Sequence, residues 1–249
     1  MKGLSVLVVG GGAGLGAEIV SMAVAEGATA IGIVDRDGDA AKRALEPAVS
    51  AGLPCHAATA DIGTKDAASA AFDEVVRVIG RVDTLVNCAA IYPRRPILEI
   101  TDEEWDASNT INVKGTYHMM VAAVRHMREQ AARDHVRGRI VNITSVDAFK
   151  AHPGNAHYAA TKAAVASLTR SFADEVAPDG ILVNSVAPAA MATEKAKQAG
   201  FLPELAAASR LGRAATPGEI AEWVLMAGGP KNTYMTGENI IVSGGYIYA

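Results

Sequence analysis

The chain has 249 residues, of which 50% are hydrophobic and 20% are charged, and its formal net charge is −4. This composition supports a large buried core and differs from the low hydrophobicity and high net charge of disordered chains. Acids and bases are interspersed without a basic stripe, which argues against nucleic acid or a membrane surface as a partner, and no stretch has the roughly 20 apolar residues of a membrane span.

No linker rich in Pro, Gly or Ser divides the chain, so we interpret residues 1–249 as one domain. The two cysteines, Cys55 and Cys88, are too few for a disulfide framework or a four-thiolate site and favour a reducing, cytoplasmic location. The six histidines are not clustered with acids or thiols, so the sequence implies no metal.

A glycine-rich turn follows the first predicted strand, Leu4–Val9. The apolar run of this strand is shorter than the apolar core of a signal peptide, so we interpret it as a strand. Residues 10–16 read GGGAGLG, and a helix is predicted from about Ala17 to Glu26. Glycines let the backbone approach a pyrophosphate, and the helix N-terminus offers N–H groups to it. The pattern predicts the first half of a dinucleotide site, although a glycine turn alone is equally compatible with a turn that binds nothing.

The second predicted strand, Thr29–Val34, ends at Asp35, at the spacing expected of a carboxylate that binds the 2′-hydroxyl of an adenosine ribose. A 2′-phosphate near Asp35 would meet repulsion of about 4 kcal/mol per unit charge at 4 Å and an effective dielectric constant of 20. This favours NAD over NADP. Arg36 leaves an alternative open, because its guanidinium can pair with a phosphate, stack beside adenine or lie in solvent.

Strands and helices alternate through the rest of the chain. The further predicted helices are Asp39–Ser50, Lys65–Ile79, Glu103–Ala132, one around Tyr158, and Thr216 to about Met226. Pro47 disturbs the first of them, and Thr216 and Glu219 form a predicted capping box at the start of the last. The further predicted strands are one before Asp61, then Val82–Val86, Arg139–Thr144, Ile181–Val186 and Asn239–Val242. Residues 190–210 lack a clean period and are predicted to form a mobile substrate flap or short helices.

This alternation predicts an α/β, Rossmann-type doubly wound parallel sheet of seven strands with helices on both faces. Ligands bind such sheets beyond the carboxyl ends of the strands. Asp35, Asp61, Asn87 and Ser145 all stand at predicted strand ends. We therefore expect these four residues to converge on one edge of the sheet.

The stretch from Ser145 to Lys162 combines a hydroxyl, a phenol and an ammonium group. Tyr158 and Lys162 are four residues apart, so they share one face if their segment is helical, and Ser145 closes the preceding strand. Taken singly, each of these residues has another interpretation: Tyr158 and Lys162 could be an exposed pair, and Ser145 could be a helix cap. Asn112, a further candidate, could be a buried amide that is hydrogen-bonded to the backbone.

Together these motifs resemble the classical short-chain dehydrogenase/reductase family over essentially the whole chain. Residues 9–16 (VGGGAGLG) are similar to the family's TGxxxGxG, 87–90 (NCAA) to NNAG, 158–162 (YAATK) to YxxxK, and 188–193 (PAAMAT) to PGxxxT. The chain departs from these patterns at Val9, Cys88, Ala90, Ala189 and Ser243, none of which removes a group that does chemistry.

The resemblance implies that Asn112, Ser145, Tyr158 and Lys162 are catalytic. It also implies that Lys162 holds the nicotinamide ribose, that Asn112 positions a water linking Lys162 to solvent, and that the chain forms a homotetramer through the helices around Asn112 and Tyr158. The residues expected to contact the cofactor are Gly10, Gly12, Gly14, Leu15, Asp35, Arg36, Asp61, Ile62, Asn87, Ala89, Tyr158, Lys162, Pro188 and Thr193, the last at the nicotinamide carboxamide.

Oxidation of an alcohol needs a base with a pKa near 7, and lowering a tyrosine from about 10 to about 7 takes roughly 4 kcal/mol. A positive charge about 4 Å away contributes on the order of 4 kcal/mol at an effective dielectric constant of 20. We therefore expect Tyr158 to be the general acid/base, Lys162 to lower its pKa, and Ser145 to hydrogen-bond the substrate oxygen.

The leading hypothesis is an oxidoreductase that transfers a hydride between NAD(H) and a secondary alcohol or ketone. One alternative is an NADPH-dependent 3-oxoacyl reductase, which would be expected to carry a basic residue in the glycine turn or beyond the second strand. The other is a non-catalytic dinucleotide-sensing regulator, in which the Ser, Tyr or Lys position would be damaged; all three are intact.

The substrate, a small molecule, is expected to contact the flap, residues 91–93 and part of the segment after Ser145. The residues predicted to line its pocket there are Val146, Asp147, Phe149, His152 and His157. Tyr92, Phe149 and Phe201 weakly favour an apolar or aromatic alcohol, whereas Asp147 and His152 favour a polar one.

Overall fold

Seven strands form one sheet in the computed structural model, which describes residues 1–198, 200 and 202–248. The strands are β1 (Ser5–Val9), β2 (Ala30–Asp35), β3 (Cys55–Thr59), β4 (Thr84–Asn87), β5 (Gly138–Ile143), β6 (Ile181–Pro188) and β7 (Asn239–Val242). Their order is β3-β2-β1-β4-β5-β6-β7, and every neighbouring pair is parallel. The predicted seven-stranded Rossmann-type sheet is confirmed.

Ten α-helices are present in the described part of the chain. They are α1 (Gly14–Ala25), α2 (Gly38–Ala44), α3 (Glu46–Ser50), α4 (Lys65–Ile79), α5 (Asp102–Ser108), α6 (Thr116–Glu129), α7 (Ala156–Val176), α8 (Glu194–Gln198), α9 (Leu202–Ala208) and α10 (Pro217–Gly228). A π-helical segment, Asn109–Gly115, joins α5 to α6. Short 3₁₀ turns lie at Ile97–Glu99, Val146–Ala148 and Ala177–Asp179. None of these helices is long and apolar enough to cross a membrane.

The sheet is buried between two layers of helices because both faces of its strands are apolar. Along β1, Val6 and Val8 belong to a core cluster shared with α1 and α10, whereas Leu7 and Val9 belong to a cluster shared with α4 and α6. Full burial of one such aliphatic side chain stabilises the fold by roughly 1.5–3 kcal/mol. The alternation along one strand thus joins the sheet to both helical layers.

Two predicted helices are divided in the structure. The predicted helix Asp39–Ser50 is split at Leu45 into α2 and α3, and Pro47 lies in the first turn of α3, where its missing N–H removes no helical hydrogen bond. The predicted helix Glu103–Ala132 is α5, the π-helical segment and α6. Its wider π turn contains Asn112 and ends at Gly115, where a Cβ would lie 2.7 Å from Ile62.

Several element ends differ from the sequence prediction by a few residues, while others agree. Helix α1 begins at Gly14, inside the glycine run, rather than at Ala17. The capping box of Thr216 and Glu219 is present at the start of α10. The predicted flap contains two short helices, α8 and α9, as one of the two expectations for that segment allowed. Phe201 lies outside the described residues.

The strand order reverses between β1 and β4, because the chain runs from β1 outward to β3 and then returns to the other side of β1. At such a switch point the loops after the two strands diverge and leave a crevice beyond their carboxyl ends. The candidate site lies there.

Candidate active site

A cleft of about 740 Å³ opens at the carboxyl edge of the sheet, within the size range of small-molecule sites. It brings together most of the residues that the sequence predicts for the site. Those that line it are Gly10, Gly14, Leu15, Asp35, Arg36, Asp61, Ile62, Ala89, Ser145, Tyr158, Lys162, Pro188 and Thr193. Gly12, Asn87 and Asn112 do not line it.

The glycine turn is packed so closely that larger residues do not fit. Gly10 has a φ of +77°, and a Cβ there would lie 2.6 Å from the backbone nitrogen of Ala89. A Cβ on Gly16 would lie 2.0 Å from the carbonyl oxygen of Gly10. The turn therefore presents bare backbone to the cleft at the start of α1, where a pyrophosphate would be held by N–H groups.

Asp35 is held at the end of β2 by two backbone groups. Its Oδ2 accepts from the N–H of Gly12 over 2.9 Å, and its Oδ1 accepts from the N–H of Asp37 over 3.0 Å. A carboxylate has about four acceptor positions, so capacity remains for a ribose hydroxyl in the cleft. Gly12 thus acts by positioning Asp35, and the exposed Arg36 lines the cleft beside it.

Lys162 is buried, with 3% of its surface exposed, and its Nζ donates to the carbonyl oxygen of Ile143 over 2.7 Å. Burial lowers the pKa of Lys162 to about 8. The Nζ lies 5.7 Å from the centre of the Tyr158 ring. The predicted proximity of the two side chains on α7 is therefore present.

The pKa of the Tyr158 phenol is shifted in the direction opposite to the sequence expectation. Burial raises the pKa of its phenol above the usual 10, the charge of Asp147 raises it further, and the side-chain hydrogen bond with Ser145 lowers it. Desolvation is therefore the largest influence on the Tyr158 pKa, and the expected lowering of that pKa by Lys162 together with an oxidised nicotinamide stays a prediction.

Ser145 lies at the carboxyl end of β5 and lines the cleft. Its Oγ accepts from the N–H of Asp147 over 3.1 Å, so it also caps the 3₁₀ turn Val146–Ala148. Ser145 is therefore a cap residue and also a residue of the cleft, since the same hydroxyl hydrogen-bonds Tyr158.

Asn112 holds the loop after β4 against α7. Its Nδ2 donates to the carbonyl oxygen of Ile91 over 2.9 Å and to Thr161 Oγ1 over 3.0 Å, and its Oδ1 accepts from the N–H of Ile91 over 2.9 Å. Its side chain is fully buried and outside the cleft. We therefore assign the Asn112 side chain to positioning Ile91, a cleft residue, against the helix that carries Tyr158.

Asn87 also supports the site from behind. It ends β4, is buried, and donates from Nδ2 to Asn142 Oδ1 over 2.8 Å. Asn142 in turn donates to Thr169 Oγ1 over 3.0 Å on α7. Asn87 therefore links the sheet to α7 and is not part of the cleft wall.

Comparison with known proteins agrees with this geometry. A family model described as "Enoyl-(Acyl carrier protein) reductase" matches residues 10–247. The short-chain reductase protein NovJ of Streptomyces niveus is 37% identical over 96% of this chain and 92% of its own. A 3-oxoacyl-[acyl-carrier-protein] reductase FabG of Thermotoga maritima is 33% identical over 99% of both chains. A cyclopentanol dehydrogenase of Comamonas testosteroni is 32% identical over 97% of this chain and 96% of its own.

Solved structures show the same likeness. A short-chain dehydrogenase/reductase from Serratia marcescens has a TM-score of 0.89 at 31% identity and covers 98% of each chain. A structure of ElxO with NADP bound has a TM-score of 0.88 at 26% identity and covers 99% of each chain.

The chain belongs to the short-chain dehydrogenase/reductase family. It is therefore an oxidoreductase of a family that uses a nicotinamide dinucleotide. The residues present fit that cofactor, since the glycine turn leaves room that a Cβ would fill and Asp35 stands where a ribose hydroxyl needs an acceptor.

The substrate end of this short-chain dehydrogenase/reductase differs in part from the sequence expectation. Ile91, Tyr92, Val146, Asp147 and His152 line the cleft as predicted. Pro93, Phe149 and His157 do not line it. Phe149 is exposed and follows the 3₁₀ turn Val146–Ala148, and His157 is buried in the first turn of α7.

Met191 and Lys195 of the predicted flap line the cleft, as does Asn155 in the segment after Ser145, whereas sequence reasoning missed Cys88, Arg94 and Tyr246. Tyr246 is close to the end of the chain and reaches the site only through the position of the segment after β7, for which no local motif exists. Cys88 had a signal, since it stands in the NCAA stretch after β4. Burial raises the pKa of its thiol to about 12, so the thiol stays protonated.

Proposed function

We propose that the protein is an NAD(H)-dependent oxidoreductase that interconverts a secondary alcohol and a ketone. The observation that carries the proposal is that Ser145, Tyr158 and Lys162 line one cleft with the carboxylate of Asp35. A hydroxyl and a phenol line the cleft where the substrate's oxygen would lie, a buried ammonium group lies near the phenol, and an acceptor for an adenosine ribose lies in the same cleft.

A bound oxidised nicotinamide would supply the hydride acceptor. The protein's own residues handle the proton and the oxygen. Ser145 donates a hydrogen bond to the substrate oxygen, and Tyr158 takes the hydroxyl proton as the alcohol becomes a ketone. In the opposite direction Tyr158 returns that proton to the ketone oxygen. Lys162 holds the nicotinamide ribose and supplies positive charge beside the phenol, and Asn112 keeps Ile91 in place.

Preference for NAD over NADP is the part of this proposal that Asp35 supports. Its carboxylate is anchored by the N–H groups of Gly12 and Asp37 and cannot turn away from a 2′-phosphate without losing both hydrogen bonds. Arg36, which also lines the cleft, and the NADP reported for ElxO support the opposite preference. We propose NAD because the carboxylate of Asp35 is held in a fixed position, whereas Arg36 is exposed.

The test is a comparison of kcat/KM for NAD and NADP with one accepted secondary alcohol, for the wild type and for Asp35→Ala. We expect the wild type to favour NAD and the variant to lose that preference by at least tenfold. Asp39→Ala is the matched control, because Asp39 is an exposed carboxylate on α2 that does not line the cleft. A wild-type preference for NADP would refute the NAD assignment and show that Arg36 outweighs Asp35.

A second candidate is an NADPH-dependent 3-oxoacyl reductase. It is favoured by the 33% identity to FabG over 99% of both chains and by the position of Arg36 in the cleft. Reduction of an acetoacetyl thioester with NADPH at a higher kcat/KM than any alcohol oxidation with NAD would establish it in place of the first.

The homotetramer and the cytoplasmic location also belong to this proposal. Trp105 on α5 and Tyr117 on α6 are each 44% exposed, which leaves apolar surface on the helices flanking Asn112. Both cysteines are free thiols, as in proteins of reducing compartments.

A further inference from the structure

A group of polar side chains lines the cleft next to Tyr158. Asp147, His152 and Asn155 all line it, and Asn155 is only 6% exposed. Asn155 Nδ2 donates to Asp147 Oδ2 over 2.7 Å, and the N–H of Asp147 donates to Ser145 Oγ. Hydrogen bonds therefore connect this group to the serine that binds the substrate oxygen in our proposal.

Asn155 directs its side chain to the cleft and not to the helix that it precedes. It is the N-cap residue of α7, where an asparagine oxygen ordinarily accepts from an N–H of the first turn. Here the side chain makes no cap hydrogen bond. Its Nδ2 is used by Asp147, and its buried Oδ1 accepts from no residue in the described part of the chain.

A buried acceptor without a partner is unfavourable, and such atoms in native proteins call for a specific reason. His152 Nδ1 is a second buried atom without a partner among the described residues, and His152 lines the same cleft. Both atoms are explained if a ligand brings a hydrogen-bonding group to this position. Because Asn155 Oδ1 and the Asp147 carboxylate are acceptors, that group must be a donor.

The charges around the cleft decide which donor fits. Lys195 lines the cleft and lies 4.3 Å from the centre of the Tyr92 ring, which in turn packs edge-on against Tyr158 at 6.3 Å. Arg94 lines the cleft too and acts on the charge of Asp147. The carboxylates of Asp147 and Glu194 line the same end, so the two cations and two anions leave no net negative charge to attract an ammonium group, and a neutral hydroxyl is the donor that matches.

We propose that Asp147, His152 and Asn155 form a polar subsite that selects an alcohol with a second hydroxyl group close to the reacting carbinol, as in a diol, polyol or sugar. The second hydroxyl donates its hydrogen to Asn155 Oδ1, and no bond is made or broken there. The inference rests on the function proposed above, since it takes Ser145 and Tyr158 as the position of the reacting carbinol.

The experiment compares kcat/KM for cyclohexanol with kcat/KM for the cis and trans isomers of cyclohexane-1,2-diol, all with NAD. We expect the wild type to favour the better diol at least tenfold, equivalent to about 1.4 kcal/mol. In Asn155→Ala and in Asp147→Asn this ratio falls at least fivefold. Phe149→Leu is the control whose ratio stays the same, because Phe149 is exposed and does not line the cleft.

A wild-type ratio near one, or an equal loss for diol and cyclohexanol in Asn155→Ala, would overturn the subsite, since a structural role lowers both substrates alike. Binding separates this result from a failure of the proposed function. With Tyr158→Phe and NAD, calorimetric titration measures affinity for the same compounds without turnover. Tighter binding of the diol supports the subsite even if the wild type oxidises neither compound, and equal binding refutes it.

Discussion

At the scale of single residues, burial opposes the charged forms of both groups that are proposed to move or stabilise the proton. It lowers the pKa of Lys162 to about 8, so the ammonium form still dominates at pH 7, and it raises the pKa of Tyr158. The phenol is therefore neutral in the free protein. A neutral phenol is the form that gives a proton to a ketone oxygen, so the free protein holds Tyr158 in the form needed for reduction, whereas oxidation needs the phenolate.

Replacing Tyr158 by Phe removes the only atom that is proposed to exchange a proton with the substrate. We expect turnover to fall by at least a thousandfold, on the order of the contribution of a general acid/base. Nucleotide affinity, measured by calorimetry, should stay within a few-fold of the wild type. Near-normal turnover in this variant would remove Tyr158 from the mechanism.

The buried charge of Lys162 also predicts how stability depends on pH. Its pKa is about 8 in the folded protein and about 10.4 in an unfolded chain, so between these values the unfolded state binds more protons and stability rises with pH. The stabilising contribution is complete above the unfolded pKa and is lost as pH falls through 8.

Lys162→Met lacks this dependence. We therefore expect its free energy of unfolding, relative to the wild type, to decrease by roughly 2–3 kcal/mol between pH 7 and pH 10.5, as measured by urea unfolding. Lys231→Met, at an exposed position, is the control and should show no such change. A difference between Lys162→Met and wild type that is constant across this range would contradict the prediction.

At the scale of elements, the site depends on two irregular connections. The glycine turn joins β1 to α1 against Ala89, and the π-helical segment joins α5 to α6 around Asn112. Neither is a regular helix or strand, and each brings backbone from a neighbouring loop into contact: Ala89 at the turn and Ile91 at Asn112. The cleft at the crevice between β1 and β4 is thus shaped by segments that connect regular elements, and the sheet fixes the spacing between those segments.

Gly10→Ala tests the glycine turn. The added Cβ meets the Ala89 backbone at 2.6 Å and the residue is held at a φ of +77°. We expect the variant to lose about 2–4 kcal/mol of stability and at least tenfold in NAD affinity, since strain and overpacking add. Gly52→Ala is the matched control: its φ is +69° but its Cβ would have no neighbour within 4 Å, so only the strain of about 1–2 kcal/mol applies. Equal losses in both variants would show that the contact with Ala89 does not matter.

At the scale of the whole molecule, the sheet separates two cores, and apolar side chains remain on the surface of the layer that contains α6 and α7. Tyr117 on α6 packs edge-on against Phe172 on α7, with ring centres 5.9 Å apart, and is still 44% exposed. Such a surface is consistent with the proposed homotetramer, in which it would be covered by another copy.

Sedimentation equilibrium should therefore show a particle of four 25.7 kDa chains. Tyr117→Glu places a charge on the proposed contact, and we expect it to shift the protein to smaller species. Val49→Glu adds the same charge to an exposed position on α3 and should leave the mass unchanged. A wild-type monomer would refute the homotetramer.

The sequence by itself determined the fold and indicated the groups that are proposed to react, because each follows from a local pattern. Short apolar runs alternating with amphipathic segments predict a parallel sheet, a glycine run predicts the turn after β1, and Tyr158 and Lys162 are four apart on one helix. Strand ends then place Asp35 and Ser145 at one edge. Chain order and spacing suffice for these features, since no distant contact has to be known.

Only the tertiary structure decided what surrounds those groups. The hydrogen bonds of Asn112 to Ile91 and the places of Tyr246 and Arg94 in the cleft join residues that lie far apart in sequence. The side chain of Asn155 is turned away from its local role as a helix cap, and its oxygen accepts from no residue in the described part of the chain. The direction of the Tyr158 pKa depends on desolvation, which is a property of the assembled core. Local sequence patterns carry no information on these contacts or on desolvation. Spacing therefore identified Tyr158 as the proposed proton donor, whereas burial sets the direction of its pKa shift.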